Sequence, residues 1–166
     1  GFSSFTMETV DIVSQRLFTG LESFEIMAIP FFILAGAFLT EGGIAARIIR
    51  FATSFFGWMP GGLAMAAILA CAFFATISGS SPATVAAIGA IMLPAMVKAG
   101  YPKRFAVGVI TTSGSLGILI PPSIVMIIYA VSTSTSAGKL FIAGVIPGIL
   151  LALVLMGVTF VTAKRR

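Results

Sequence analysis

At 166 residues the chain has the length of a single domain, yet 58% of it is hydrophobic, only 9% is charged, and the net charge is +5. A soluble domain carries about 25% charged residues, so a water-soluble fold built from this sequence would lack polar side chains to cover its exterior. With a mean hydropathy of +1.14, the chain reads as an all-α integral membrane protein. The positive charge then reports orientation, because Lys and Arg accumulate in cytoplasmic loops, and nucleic acid is not an expected partner. There is no His, and Cys71 stands alone in an apolar run, which excludes disulfides and Cys/His zinc sites within the chain. Cys71 reads as a small buried hydrophobe.

Gly1–Glu25 holds four of the five acids, Glu8, Asp11, Glu22 and Glu25, and a single basic residue, Arg16. Met7, Val10, Val13, Leu17 and Leu21 keep near-helical spacing, so a surface or partly buried helix is expected. No basic stretch precedes a short apolar run, so no signal peptide is expected. A first residue other than Met leads to the expectation that the natural beginning lies upstream.

Ile26–Thr40 is uncharged but short for a hydrocarbon core of about 30 Å. Ile44–Trp58 differs: Arg47 and Arg50 share one side, while Ile44, Ile48, Phe51 and Phe55 recur at helical spacing. That pattern suits a helix lying in the membrane interface, with Trp58 at headgroup level; an ordinary cytoplasmic extension of a span is the alternative. Gly62–Ile77 and Ala83–Val97 are apolar segments each about 24 Å long if helical, joined by Ser78–Pro82. Phe105–Ile120 and Ile124–Val131 flank Pro121-Pro122. As one helix, residues 105–134 would run about 45 Å, too long for a bilayer unless the middle unwinds. Leu140–Thr162 reads as a transmembrane helix, and Ser132–Ser136 as a polar outer loop.

Placing Arg47, Arg50, Lys98, Lys103, Arg104 and the terminal Lys164-Arg165-Arg166 inside leaves only Lys139 outside, the positive-inside arrangement for residues 26–166. Charge counting leaves open whether residues 62–97 form a re-entrant hairpin or two thin spans, since both put the ends on one side.

The placement of carboxylates narrows the chemistry. All five acids fall at or before Glu41, and residues 42–166 hold nine Lys or Arg and no Asp or Glu. Intramembrane proton relays run through Asp, Glu or His, so none can be built there, and a Ser-His nucleophile is equally closed. A Ser-Lys pair is formally open, but every Lys sits at an expected membrane boundary, away from the serine clusters. No enzyme activity is expected.

What remains is uncharged oxygen. Ile77–Thr84 reads I-S-G-S-S-P-A-T and Thr111–Ser123 reads T-T-S-G-S-L-G-I-L-I-P-P-S. Hydroxyls come from Ser78, Ser80, Ser81, Thr84, Ser113, Ser115 and Ser123, and unwound carbonyls from the backbone around Gly79, Gly114 and Gly117. In broken-helix transporters such groups coordinate Na⁺, while half-helix N-termini face anionic substrate groups. Ser81 reads as an N-cap with Pro82 at the first helical position. The alternative is that the small residues only let helices approach, as Ala83/Ala87 and Gly144/Gly148 spacing also suggests.

Three stretches in order carry a resemblance: Gly20–Gly36 (G-L-E-S-F-E-I-M-A-I-P-F-F-I-L-A-G), Ile77–Thr84, and Gly114–Ser123 (G-S-L-G-I-L-I-P-P-S). Together they resemble the large membrane subunit of tripartite ATP-independent periplasmic (TRAP) transporters, over nearly the whole chain from about Ser14. The resemblance implies an ion-transporter-superfamily-like inverted-repeat half. Its parts would be scaffold-type helices at 1–43, an amphipathic interfacial arm at 44–58, a re-entrant helical hairpin at 59–100, a broken transmembrane helix at 101–135 and a transmembrane helix at 136–166. It implies Na⁺-coupled, elevator-type uptake of small organic acids, such as C4-dicarboxylates or sialic acid, across a bacterial inner membrane. The implied partners are a periplasmic substrate-binding protein, a small TRAP membrane subunit and the lipid bilayer. No cofactor is implied, with Na⁺ as the coupling ion. The implied Na⁺ site lies between Ser78, Gly79, Ser80 and Ser81 on one side and Gly114, Gly117 and Pro121 on the other. Ser80, Thr84, Ser115 and Ser123 are the candidates for lining the substrate. Against that family the chain is less than half the expected length, so a second half of the large subunit is expected, either in the same polypeptide or as a separate one. A non-transporting assembly subunit or inactive fragment is the rival reading.

Overall fold

The computed structural model describes residues 9–16, 18 and 24–164. Every regular element among them is an α-helix. Residues 9–16 are helical, as the spacing suggests, with Val10 and Val13 exposed; Met7, Leu17 and Leu21 of that expected helix lie outside the described residues, as do Arg165 and Arg166.

The first long helix, α1, covers Phe24–Glu41 and carries Pro30 inside it. It ends at Gly42-Gly43, where Gly43 takes φ 73°, and the chain turns by 70° into α2, Ile44–Phe56. Ala45, Ile49 and Ala52 of α2 are buried. The sequence pattern singled out Ile44, Ile48, Phe51 and Phe55, which flank this face; the packed face itself is built mainly of alanine, which a search for large apolar residues passes over.

α3, Gly62–Ser78, is the hub of the bundle, packing against α2 and the helices that follow. It is apolar all round, and a helix of that kind belongs in an interior. Ala64, Ala66, Ala67, Ala70 and Ala75 are completely buried together with Phe74 and Cys71. Such small side chains let helix backbones approach closely where water supplies no drive for association. α4, Ser81–Lys98, follows after only two non-helical residues. Pro82 sits in its first turn, where a missing N–H costs nothing, and Lys98 in its last turn complements the helix dipole. Ile88, Met92 and Met96 of α4 close the core against α3 and Ile110 of the next helix.

A turn through Gly100 leads to α5, Lys103–Gly114. Tyr101 stacks on Phe105 with ring centroids 6.0 Å apart. Burial pushes the Tyr101 phenol pKa up, and a hydrogen bond with the Leu63 backbone pulls the other way. A single turn, α6 (Leu116–Leu119), then α7 (Ile124–Ser132), complete a helix broken at residues 120–123 and bent by 40°. The unwinding expected from length alone is present. α8, Ala137–Lys164, is the longest helix, at 28 residues. Its Gly144 and Gly148 lie against Leu119, Ile120 and Met126, so a Cβ at Gly144 would stand 2.8 Å from the Leu119 carbonyl oxygen. Ala87, expected to pack in the same way, is buried in the core, and it also lines, with the partly exposed Ala83, an open groove between α1 and α4.

α4 and α8 are each long and apolar enough to cross a membrane, and the two bent pairs, α1–α2 and α5–α7, pass the same test together. Phe31, Phe38, Ile142, Ile146 and Leu150 are exposed on outer faces, large apolar side chains of the kind a bilayer covers.

Candidate functional site

The two polar breaks meet. Gly79 closes α3 in the left-handed conformation, φ 60°, and its N–H donates to the Ala75 carbonyl at 2.9 Å. A side chain there would be strained by that φ and would stand 2.9 Å from the Pro122 carbonyl oxygen. The Gly79 carbonyl accepts the Ile124 N–H at 3.0 Å, so the C-terminus of α3 is tied to the N-terminus of α7. The second tie is Ser81 Oγ, which donates to the Gly114 carbonyl at 2.5 Å. The third is steric: a Cβ on Gly117 would lie 2.8 Å from Ser81 N and 3.1 Å from the Ser80 carbonyl oxygen. Only glycine lets these two backbones approach so closely.

Within the first break the hydroxyls satisfy one another. Ser78 is 2% exposed and its Oγ lies 3.0 Å from Thr84 Oγ1. Thr84 Oγ1 donates to the Ser80 carbonyl at 2.8 Å, and the same carbonyl accepts the Thr84 N–H at 3.0 Å. The N-cap of α4 is Ser80 rather than the expected Ser81, and it makes no side-chain capping bond. The shift by one residue has a clear physical origin: the Ser81 hydroxyl is drawn across to Gly114, where it joins two segments instead of capping its own helix.

The second break is different. Ser123 is the N-cap of α7 without a side-chain capping bond, it is 0% exposed, and its Oγ is the one buried side-chain oxygen without a hydrogen-bond partner among the described residues. A buried hydroxyl left without a partner costs about 1–3 kcal/mol. It sits between Pro122 and Ile124, both of which touch Gly79. Pro121 is joined to Pro122 by a cis peptide bond beside it. Ser115, by contrast, turns its hydroxyl onto the Thr112 carbonyl of its own helix at 2.6 Å, and Ser113 does the same with Val109 at 2.6 Å.

Ser78 and Ser80 also open onto a groove of about 570 Å³ between α1 and α4, with Gly36, Ala83 and Ala87 on its walls and Thr40 and Glu41 at its other end. At Gly36 α1 comes close to this end of α3: a Cβ there would make an ordinary contact, 3.6 Å from Ser78 Cα. The wall supplied by α1 was not singled out from the sequence as part of the site. Its signal is the small-residue patch Ala35-Gly36-Ala37 within an apolar run. No cluster of His, Cys, Asp or Glu suited to a metal ion occurs among the described residues.

The sequence matches the family described as Tripartite ATP-independent periplasmic transporter, DctM component, over residues 2–166. It is 56% identical to the C4-dicarboxylate TRAP transporter large permease protein DctM of Rhodobacter capsulatus, over 98% of this chain and 40% of that protein. The protein of the same description from Pseudomonas aeruginosa is 54% identical over 96% of this chain and 38% of its own length. The 2,3-diketo-L-gulonate TRAP transporter large permease protein YiaN of Escherichia coli is 42% identical over 90% of this chain and 35% of its own. The chain thus spans about two fifths of the length of these relatives. It belongs to the DctM component family of tripartite ATP-independent periplasmic transporters.

Proposed function

We propose that this chain forms one wall of a Na⁺-coupled secondary transporter that imports small organic acids delivered by a periplasmic binding protein. The observation that carries the reading is the meeting of two helix breaks beside a fully buried Ser123 hydroxyl that has no partner among the described residues. With no carboxylate in residues 42–166, a cation bound here is held by neutral oxygens, the donor set that hard monovalent ions accept. Ser78, Gly79, Ser80 and Ser81 form one side of the proposed Na⁺ site, and Gly114, Gly117, Pro121 and Ser123 the other. Ser123 moves from the substrate side to the ion side in this assignment because it is buried within the junction. The N-terminal ends of α4 and α7 carry partial positive charge and favour an anionic substrate group nearby, with Ser80, on the groove side, as the substrate-facing residue.

The names of the similar proteins favour C4-dicarboxylates over sialic acid as the substrate. In this reading α3 and α4 are a re-entrant hairpin of an inverted-repeat half, and α2 is the arm joining scaffold helices to an elevator-type moving unit. A small membrane subunit and a second half of the large subunit complete the assembly in a bacterial inner membrane. No covalent bond is made or broken; the protein is a carrier rather than an enzyme.

A single cysteine at Ser80 in the complete transporter tests this. Na⁺ but not K⁺ is expected to protect Ser80→Cys from a water-soluble thiol reagent. Equal labelling in both salts would overturn the Na⁺ site. Ser115 favours the packing reading at its own position, since its hydroxyl is spent on α5. Ser115→Ala is therefore expected to leave Na⁺-driven uptake intact.

A further inference from the structure

α2 has two faces, and among the described residues one is buried and the other is largely exposed. Ala45, Ile49 and Ala52 pack inward, whereas the opposite side presents Arg47, Arg50, Phe51, Ser54 and Phe55, all exposed. Neither guanidinium has a hydrogen-bond or ion-pair partner among the described residues. The nearest acid in sequence, Glu41, ends α1 and pairs with neither; residues 42–166 contain no other. The aromatic side chains beside them are ordered by one another. Phe51 meets Phe55 edge-on at 5.0 Å and Phe73 of α3 at 5.8 Å, while remaining 52% exposed. Trp58 follows at 82% exposure, its indole N–H donating to the Phe55 carbonyl at 3.1 Å.

α2 turns by 70° from α1, so with α1 running along the bilayer normal α2 lies close to the membrane plane. On the side that the positive-inside distribution assigns to the cytoplasm, this face meets the leaflet that carries anionic lipids. We propose that the Arg47/Arg50 face of α2 is a binding site for an anionic phospholipid, the guanidiniums taking the phosphate and Phe51 and Phe55 the upper acyl chain. Charge complementarity selects this occupant: two unpaired arginines beside an aromatic apolar strip match a ligand that is anionic at one end and apolar at the other. Arginine suits the task because its planar fork donates two parallel hydrogen bonds to a phosphate.

The test uses the complete permease, delipidated in detergent and titrated with phosphatidylglycerol or with phosphatidylcholine of the same chains, with bound lipid counted by native mass spectrometry. Phosphatidylglycerol is expected to bind preferentially, and Arg47→Gln with Arg50→Gln to weaken it by roughly 30-fold, from about 1 kcal/mol per basic side chain at a membrane surface. Lys139→Gln, in the first turn of α8, should change nothing, and Arg47→Lys with Arg50→Lys should keep the charge attraction but lose the part of the preference that comes from the paired hydrogen bonds. Equal binding of both lipids, unchanged binding in the glutamine double variant, or displacement by millimolar inorganic phosphate would each overturn the proposal. The first two outcomes are also those expected if another polypeptide covers this face. Lipid retention is read without transport, so it stands or falls separately from Na⁺ coupling.

Discussion

The two helix breaks use the same residue types and end in opposite states. The first, Gly79-Ser80, is short and closed: Ser78, Thr84 and Ser81 all hydrogen-bond, and the Ser80 carbonyl accepts two hydrogens from Thr84. The second, residues 120–123, contains two prolines that offer no N–H, and it leaves the buried Ser123 hydroxyl without a partner among the described residues. A break that satisfies itself acts as a fixed wall. A break that leaves a buried oxygen unpaired is the place where an added ligand gains most, because that oxygen gives up no existing bond.

The largest expected effect comes from forcing the two breaks apart. Gly117→Val places atoms against the backbone of Ser80 and Ser81, which cannot rotate away. A loss of about 3 kcal/mol or more is expected, at the upper end of overpacking effects, visible as a lower thermal midpoint of the complete permease and as lost uptake. Gly114→Ala is expected to cost less, since the atom in the way belongs to the Val85 side chain.

Next comes Thr84→Val, which keeps the shape but strips the hydroxyl that serves Ser78 and the Ser80 carbonyl. A destabilisation of about 1–3 kcal/mol follows for the polar groups left behind. Denaturation with Na⁺ absent measures it, and an unchanged midpoint would contradict the view of this break as self-satisfied. Ser123→Ala removes a buried hydroxyl that has no partner among the described residues, so in Na⁺-free buffer it should not destabilise and is expected to add up to about 1–3 kcal/mol of stability. Ser115→Ala should be smaller still in its effect on Na⁺ response, because its hydroxyl only returns to Thr112.

Much of this was legible in the sequence because membrane helices obey simple length rules. Residues 105–134 are too long for one straight span, and the chain unwinds at Pro121-Pro122 as that arithmetic requires. Gly79, Gly114 and Gly117 were visible as candidates, but what each approaches was not; closeness of Gly117 to Ser81 is a tertiary fact. Hydroxyl direction was equally hidden. Ser81 and Ser115 look alike in sequence, yet one crosses 33 residues to Gly114 and the other folds back three. The packed face of α2 was missed because Ala45 and Ala52 carry little hydrophobic signal, although small side chains are what close helix packing in a membrane needs. The α1 wall was missed because the place of Gly36 beside Ser78 is a tertiary fact that no group on the residue marks.

The central claim, that the unpaired oxygen of the second break receives Na⁺, is tested most directly by Na⁺-dependent thermal unfolding of the complete permease with and without Ser123→Ala. Na⁺ at about 100 times its dissociation constant should stabilise the parent protein by about 2.7 kcal/mol, with K⁺ giving no such shift. Ser123→Ala should start from an equal or higher midpoint and lose most of the Na⁺ response. A variant that responds to Na⁺ as fully as the parent, or a parent that responds equally to K⁺, would contradict it.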